Sequence, residues 1–151
     1  MRRRVSNEEG VALVITVMSM MLMAALGSAL ILTTMTEAGI ASAYAGGVEA
    51  FYAADAGIEW TLAGLPAAAD WDSLIGVRFD GPADALMPGS PAASQLRVVV
   101  SVAAAELDGA VVVRAQAFGP REVQRTVEAT VARAGEAGPA AVRLLAWREV
   151  R

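Results

Sequence analysis

VALVITVMSMMLMAALGSALILTTMT, residues 11–36, is an unbroken run of 26 uncharged residues, and the fold turns on how it is read. A helix rises ~1.5 Å per residue, so the run covers ~39 Å against a hydrocarbon core of ~30 Å. It has no polar face to turn toward water, which argues against a helix buried in a soluble core. A cleavable secretory signal has an apolar stretch of only ~7 to 15 residues, and the first A-x-A site beyond this run is Ala41-Ser42-Ala43. Ahead of the run, MRRRVSNEEG (residues 1–10) is short, polar and charged. Arg2, Arg3 and Arg4 stand on this side and the next arginine is Arg78, so the positive-inside bias places residues 1–10 in the cytoplasm and the rest of the chain beyond Thr36 outside.

Past the run the pattern becomes amphipathic. Ile40, Tyr44, Val48, Phe51, Ile58, Leu62 and Leu65 recur at spacings of three, four or seven, while Glu37, Ser42, Glu49 and Glu59 fall mostly elsewhere. The membrane helix is therefore predicted to continue as an amphipathic helix over 37–64 and to stop at Gly64-Leu65-Pro66. Gly46-Gly47 stands in its middle, and each glycine costs ~1 kcal/mol against alanine, which predicts a bend or melted turn there.

Residues 66–94 hold Pro66, Pro82, Pro88 and Pro91 with little periodicity and read as a long loop, with a short helical turn near Trp71. Asp70, Asp72, Asp80 and Asp84 lie there without the one-three-five spacing and closing Glu of a calcium loop. From Gln95 the period becomes two. Leu96, Val98, Val100 and Val102, then Val111, Val113, Ala115 and Ala117, then Val123, Val127, Ala129 and Val131 alternate with mostly polar neighbours. Short turns at residues 106–109 and at Gly119-Pro120 make this an antiparallel meander over 95–133. Its apolar face needs a cover, and the only amphipathic helix on hand is 37–64. Residues 135–139 read as a flexible link to a C-terminal edge strand over 142–150. The fold class is α+β, a long membrane-spanning N-terminal helix packed on a small antiparallel sheet.

Composition narrows the function. Of 151 residues 56% are hydrophobic and 19% charged; 12 arginines face 16 acids, so the formal net charge is -4. That balance gives no basic face for nucleic acid. Without cysteine or histidine there is no disulfide, thiolate nucleophile, zinc-thiolate site or imidazole base, and without lysine there is no Ser-Lys pair. No catalytic residue, metal ligand or cofactor site is expected, and the protein is not expected to be an enzyme.

A polar leader ending in glycine, an uncharged helix from the next residue and a small antiparallel sheet together resemble type IV pilins and pseudopilins. Gly10-Val11-Ala12-Leu13-Val14, Leu26-Gly27, Thr33-Thr34 followed by Glu37, and the motif Ala50-Phe51-Tyr52-Ala53-Ala54-Asp55-Ala56-Gly57-Ile58-Glu59 are similar to the N-terminal domain of PilX-like minor pilins. The ending Ala146-Trp147-Arg148-Glu149-Val150 is similar to that of many of those chains. The resemblance implies a minor pilin, cleaved after Gly10 by prepilin peptidase and N-methylated at Val11. Such a subunit sits single-pass in the bacterial inner membrane before it joins other minor pilins and the major pilin, and it helps to initiate or cap a pilus; whether the pilus carries a tip adhesin as a further partner is left open by the resemblance. Ala50, Phe51, Ala53, Ala54, Asp55, Ala56, Gly57 and Ile58 are then helix-sheet packing positions. Asp55 shares the face of Phe51 and Ile58 and, if buried, needs a polar partner, for which an arginine of the sheet is expected. The sequence departs from the pattern at Glu8 and Glu9, where leaders are usually basic, at Ile15, where major pilins carry a glutamate, and at Gly46-Gly47. A type II secretion pseudopilin and a bitopic membrane adaptor are the alternative readings.

Overall fold

A computed structural model of the chain describes residues 6–68, 70–134 and 141–150. The first five leader residues and the 135–139 link lie outside the described residues. The polypeptide forms two compact units, residues 1–42 and 43–151. One helix, α1 (Ser6–Gly64, 59 residues), runs through both. It starts inside the polar leader, five residues ahead of Val11.

In the first unit every large apolar side chain from Val11 to Met35 is exposed, so the helix offers an uncovered apolar surface long enough to cross a membrane. Its hydroxyls do not interrupt that surface. Thr16, Ser19, Ser28, Thr33, Thr34 and Thr36 each donate to the carbonyl four residues back, at 2.8 to 3.0 Å. In hydrocarbon an unpaired hydroxyl costs several kcal/mol, and these six carry their acceptors within the helix.

The second unit contains a five-stranded antiparallel sheet in the order β1-β2-β3-β4-β5: β1 (Arg78–Pro82), β2 (Arg97–Ala104), β3 (Ala110–Phe118), β4 (Gln124–Ala134) and β5 (Ala141–Val150). Alternation decides which residues face the helix: Val98, Val100, Val102, Val111, Val113, Val127 and Val131 are all buried, filling the gaps between Ala115, Ala117 and Ala129. Across them lies the final third of α1, whose Ala50, Ala53, Ala54 and Ile58 are buried. The long helix is thus packed on the sheet, an α+β arrangement.

Three features differ from the sequence reading. The stretch 66–94 is not one loop: it contains β1 and short 3-10 turns at Asp72–Leu74, Ala83–Ala85 and Ala93–Gln95. β1 is five residues ending in Gly81-Pro82, and Phe79 is its one large apolar side chain, too little to announce a strand; proline is tolerated because the strand lies at the sheet's edge. The chain stays helical through Gly46-Gly47. A Cβ on Gly47 would stand 3.0 Å from Arg125 Nη2 and press the end of that side chain aside, whereas one on Gly46 would meet Val123 at an ordinary contact distance of 3.7 Å, so of the two only Gly47 lets the sheet's arginine lie this close. Finally, the packed stripe is shorter than Ile40 to Leu62: Ile40 and Tyr44 are 66% and 76% exposed.

The turns are closed locally. Gly109 takes φ +71° between β2 and β3, a conformation that suits glycine. Between β3 and β4, Arg121 and Glu122 both hold positive φ, 58° and 61°, which costs each of these side-chain-bearing residues about 1 kcal/mol or more. Trp71 is buried beyond the helix end, donating from Nε1 to the Leu65 carbonyl at 3.1 Å with the Arg133 guanidinium 5.3 Å from its ring.

Candidate functional site

The helix motif of residues 50–59 divides by face. Ala50, Ala53, Ala54, Gly57 and Ile58 are buried against the sheet, whereas Phe51, Asp55 and Ala56 lie half-buried at its margin. Small residues bring the backbone close: a Cβ on Gly57 would come within 2.9 Å of Val100 Cγ2 and 3.1 Å of Val98 Cγ1. That approach places the helix margin beside β5.

Here the motif meets the chain's last strand. The Phe51 ring stands edge-on to Trp147, centroids 5.9 Å apart and planes at 82°, and also edge-on to Tyr52. Trp147 Nε1 donates to Asp55 Oδ1 at 3.3 Å. The partner of Asp55 is therefore an indole N–H and not the arginine expected from the sequence. Because both groups are partly open to water, no opposite charge is required to hold the carboxylate there. Two positions on, Glu149 approaches Arg125 at 3.7 Å, above the gap left by Gly47. Tyr44, Gly47, Phe51, Tyr52, Arg125 and Glu149 line a concavity of about 320 Å³.

The opposite face of β5 is pinned by a second device. Register places Arg114, Glu128 and Arg148 side by side on β3, β4 and β5. Arg114 Nη2 donates to Glu128 Oε2 at 2.7 Å and Arg148 Nη2 to Oε1 at 2.5 Å, so each guanidinium takes one carboxylate oxygen. The Glu128 side chain is only 8% exposed. Hydrogen bonding from Arg114, reinforced by Arg148 and opposed by burial, holds its carboxyl below the usual carboxylate range. Asp80 on β1 is lowered in the same way by Arg97, whose Nε and Nη2 both reach it at 2.7 Å.

Elsewhere, Trp60, Gly64, Leu65, Leu74, Val77 and Val102 line an almost wholly apolar groove of about 470 Å³. Among the described residues no group of three or more acidic side chains is placed to hold a metal ion. What this arrangement offers is contact surface: an uncovered apolar helix, and a terminal strand locked to the helix motif.

The PilX N-terminal family model matches residues 9–59. The N-terminal third of this chain is similar to the PilX N-terminal domain. The match starts beside Gly10, takes in the whole exposed helix and ends on Glu59, so the PilX-type segment contains Phe51 and Asp55, the helix half of the contact with Trp147. The match is consistent with a PilX-like type IV pilin, a family that implies a minor-pilin role and interaction with other pilus components. No curated protein and no solved structure matches the chain. Gly10 and Val11 lie within α1 on its exposed surface. Trp147, Arg125 and Glu128 were not singled out from sequence as site residues. The signal for Trp147 was present in the AWREV ending, whose alternate residues face opposite sides of a strand.

Proposed function

We propose that the chain is a minor pilin cleaved after Gly10 by prepilin peptidase and N-methylated at Val11. It waits single-pass in the inner membrane with its leader in the cytoplasm, then takes part in initiating or capping the pilus as a few-copy subunit. It acts by assembly and not by catalysis. The observation that carries this reading is that the PilX-type segment takes in the uncharged stretch 11–36, whose large apolar side chains are all exposed, the surface a subunit needs first in a bilayer and then in a fibre.

Ile15 supports the tip position. In the resembling pilins a glutamate five residues into the mature chain neutralises the N-terminal ammonium of an adjoining subunit, since an unpaired charge in an apolar core is costly. Ile15 has no carboxylate to offer a subunit above, and at the tip there is none. The Val11 ammonium can still be paired by the glutamate of the next subunit below. Intact-mass spectrometry of the membrane fraction tests the processing step: the expected chain starts at Val11 and carries one methyl group. A start at Tyr44 indicates a cleaved signal, and an intact Met1 a bitopic adaptor. Immunogold labelling of sheared pili tests the position; label spread evenly along the shaft defeats the tip assignment.

A further inference from the structure

The two edges of the sheet are built differently. β1 is five residues long and ends in Gly81-Pro82, and a proline has no N–H to offer a further strand, so this edge is guarded. β5 is ten residues long, contains neither glycine nor proline, and among the described residues pairs only with β4. Leu144, Leu145, Trp147 and Val150 are exposed along it. The strand is also held still from both sides, by Asp55 and Phe51 on Trp147, by Arg125 on Glu149 and by Glu128 on Arg148. An edge already fixed in place loses little freedom when another strand is added to it.

We propose that β5 is a docking edge for an extended acidic strand of another polypeptide, which joins the sheet as its sixth strand. Register sets what that strand must carry. Arg143 lies opposite Ala132 and Arg148 opposite Glu128, on the face turned away from α1, while Leu144 and Trp147 lie opposite Val131 and Ala129 on the face toward it. Glu128 is shared between two arginines, so its cluster keeps one net positive charge, with the Arg114 and Arg148 side chains 52% and 69% exposed. An incoming strand with carboxylates on the arginine face and apolar residues on the other meets both surfaces. A second copy of this chain fits poorly. Two β5 strands paired antiparallel in the register that sets Leu145 opposite Ala146, and so keeps the two faces of the strands matched at Leu144 and Trp147, bring Arg143 opposite Arg148 twice, and like charges directly opposite are destabilising. The inference needs neither membrane nor filament, so it stands or falls apart from the pilus reading.

The test uses the full chain in detergent micelles and a ten-residue peptide alternating valine and glutamate, read by hydrogen exchange with mass spectrometry. The expected result is amide exchange slowed by about tenfold or more over residues 141–150, weakening as salt is raised. Lysine in place of glutamate, proline at the valine positions of the peptide, or Arg143→Glu in the protein should each remove most of that protection. No slowing with the Val-Glu peptide, equal slowing with the lysine or the proline peptide, or self-association through β5 that shuts the peptide out would each overturn the proposal.

Discussion

At Gly57 a hydrogen atom stands where any other residue carries carbon, and the sheet is built up to it. Alanine is the better helix former by about 1 kcal/mol, but a methyl group here meets Val100 at 2.9 Å and Ala115 at 3.3 Å. Overpacking of this kind costs about 1 to 3 kcal/mol, so Gly57→Ala is expected to lower the melting temperature despite its propensity. Gly39, with nothing within 4 Å of a Cβ, is the control: Gly39→Ala should be neutral or stabilising by up to about 1 kcal/mol. The same denaturation assay run against pH addresses Glu128. Its folded pKa is depressed, so its contribution is fully present above about pH 4.3 and is lost as pH falls through the lower folded value. Glu128→Gln should flatten that acid limb and cost about 1 kcal/mol or less near neutrality, because both arginines remain largely in water.

Among the elements, β5 depends most on particular side chains. Trp147→Ala removes the ring contact with Phe51 and the hydrogen bond to Asp55, a loss of about 1 to 2 kcal/mol, and Trp147→Phe should recover the ring part alone. Faster hydrogen exchange is expected in β5, with β2, β3 and β4 unchanged; uniform loss across the sheet would mean that β5 is not a separable unit. Sequence made some of this visible. Valines at alternate positions announce β2, β3 and β4, because a strand with one buried face must repeat every two residues. β1 could not be read, since RFDGP offers one large apolar residue, too short a signal, and its place depends on pairing with Val98 and Val100. Continuity of the helix at Gly46-Gly47 was hidden for a related reason: propensity sees the glycines but not the sheet on which Gly47 is buried, with Arg125 beside it. Asp55 announced its need for a partner, yet that partner comes from 92 residues further along the chain.

For the whole molecule, the division into units predicts how it partitions. The full chain is expected to stay with membranes through alkaline carbonate extraction, whereas a chain starting at residue 37 should be released in folded form. Release of the full chain under carbonate would show that the 11–36 run is not a span. The α+β plan was legible because it rests on two periods, uncharged continuity and strand alternation, that survive without knowledge of distant contacts. The interface between helix and sheet has a mechanical side as well. Toward the sheet α1 presents mostly hydrogens and methyl groups, at Gly47, Ala50, Ala53, Ala54 and Gly57, with Phe51, Ile58 and Leu62 as the larger side chains packed on the core. A force pulling along the helix axis therefore loads a bearing of small groups, restrained by Phe51, Ile58 and Leu62 and by the side tether from Asp55 to Trp147. Under tension along its axis the helix is expected to slip along its track before the strands beneath it tear apart, which single-molecule pulling from the two ends of the chain would register as an early small extension ahead of the sheet's rupture.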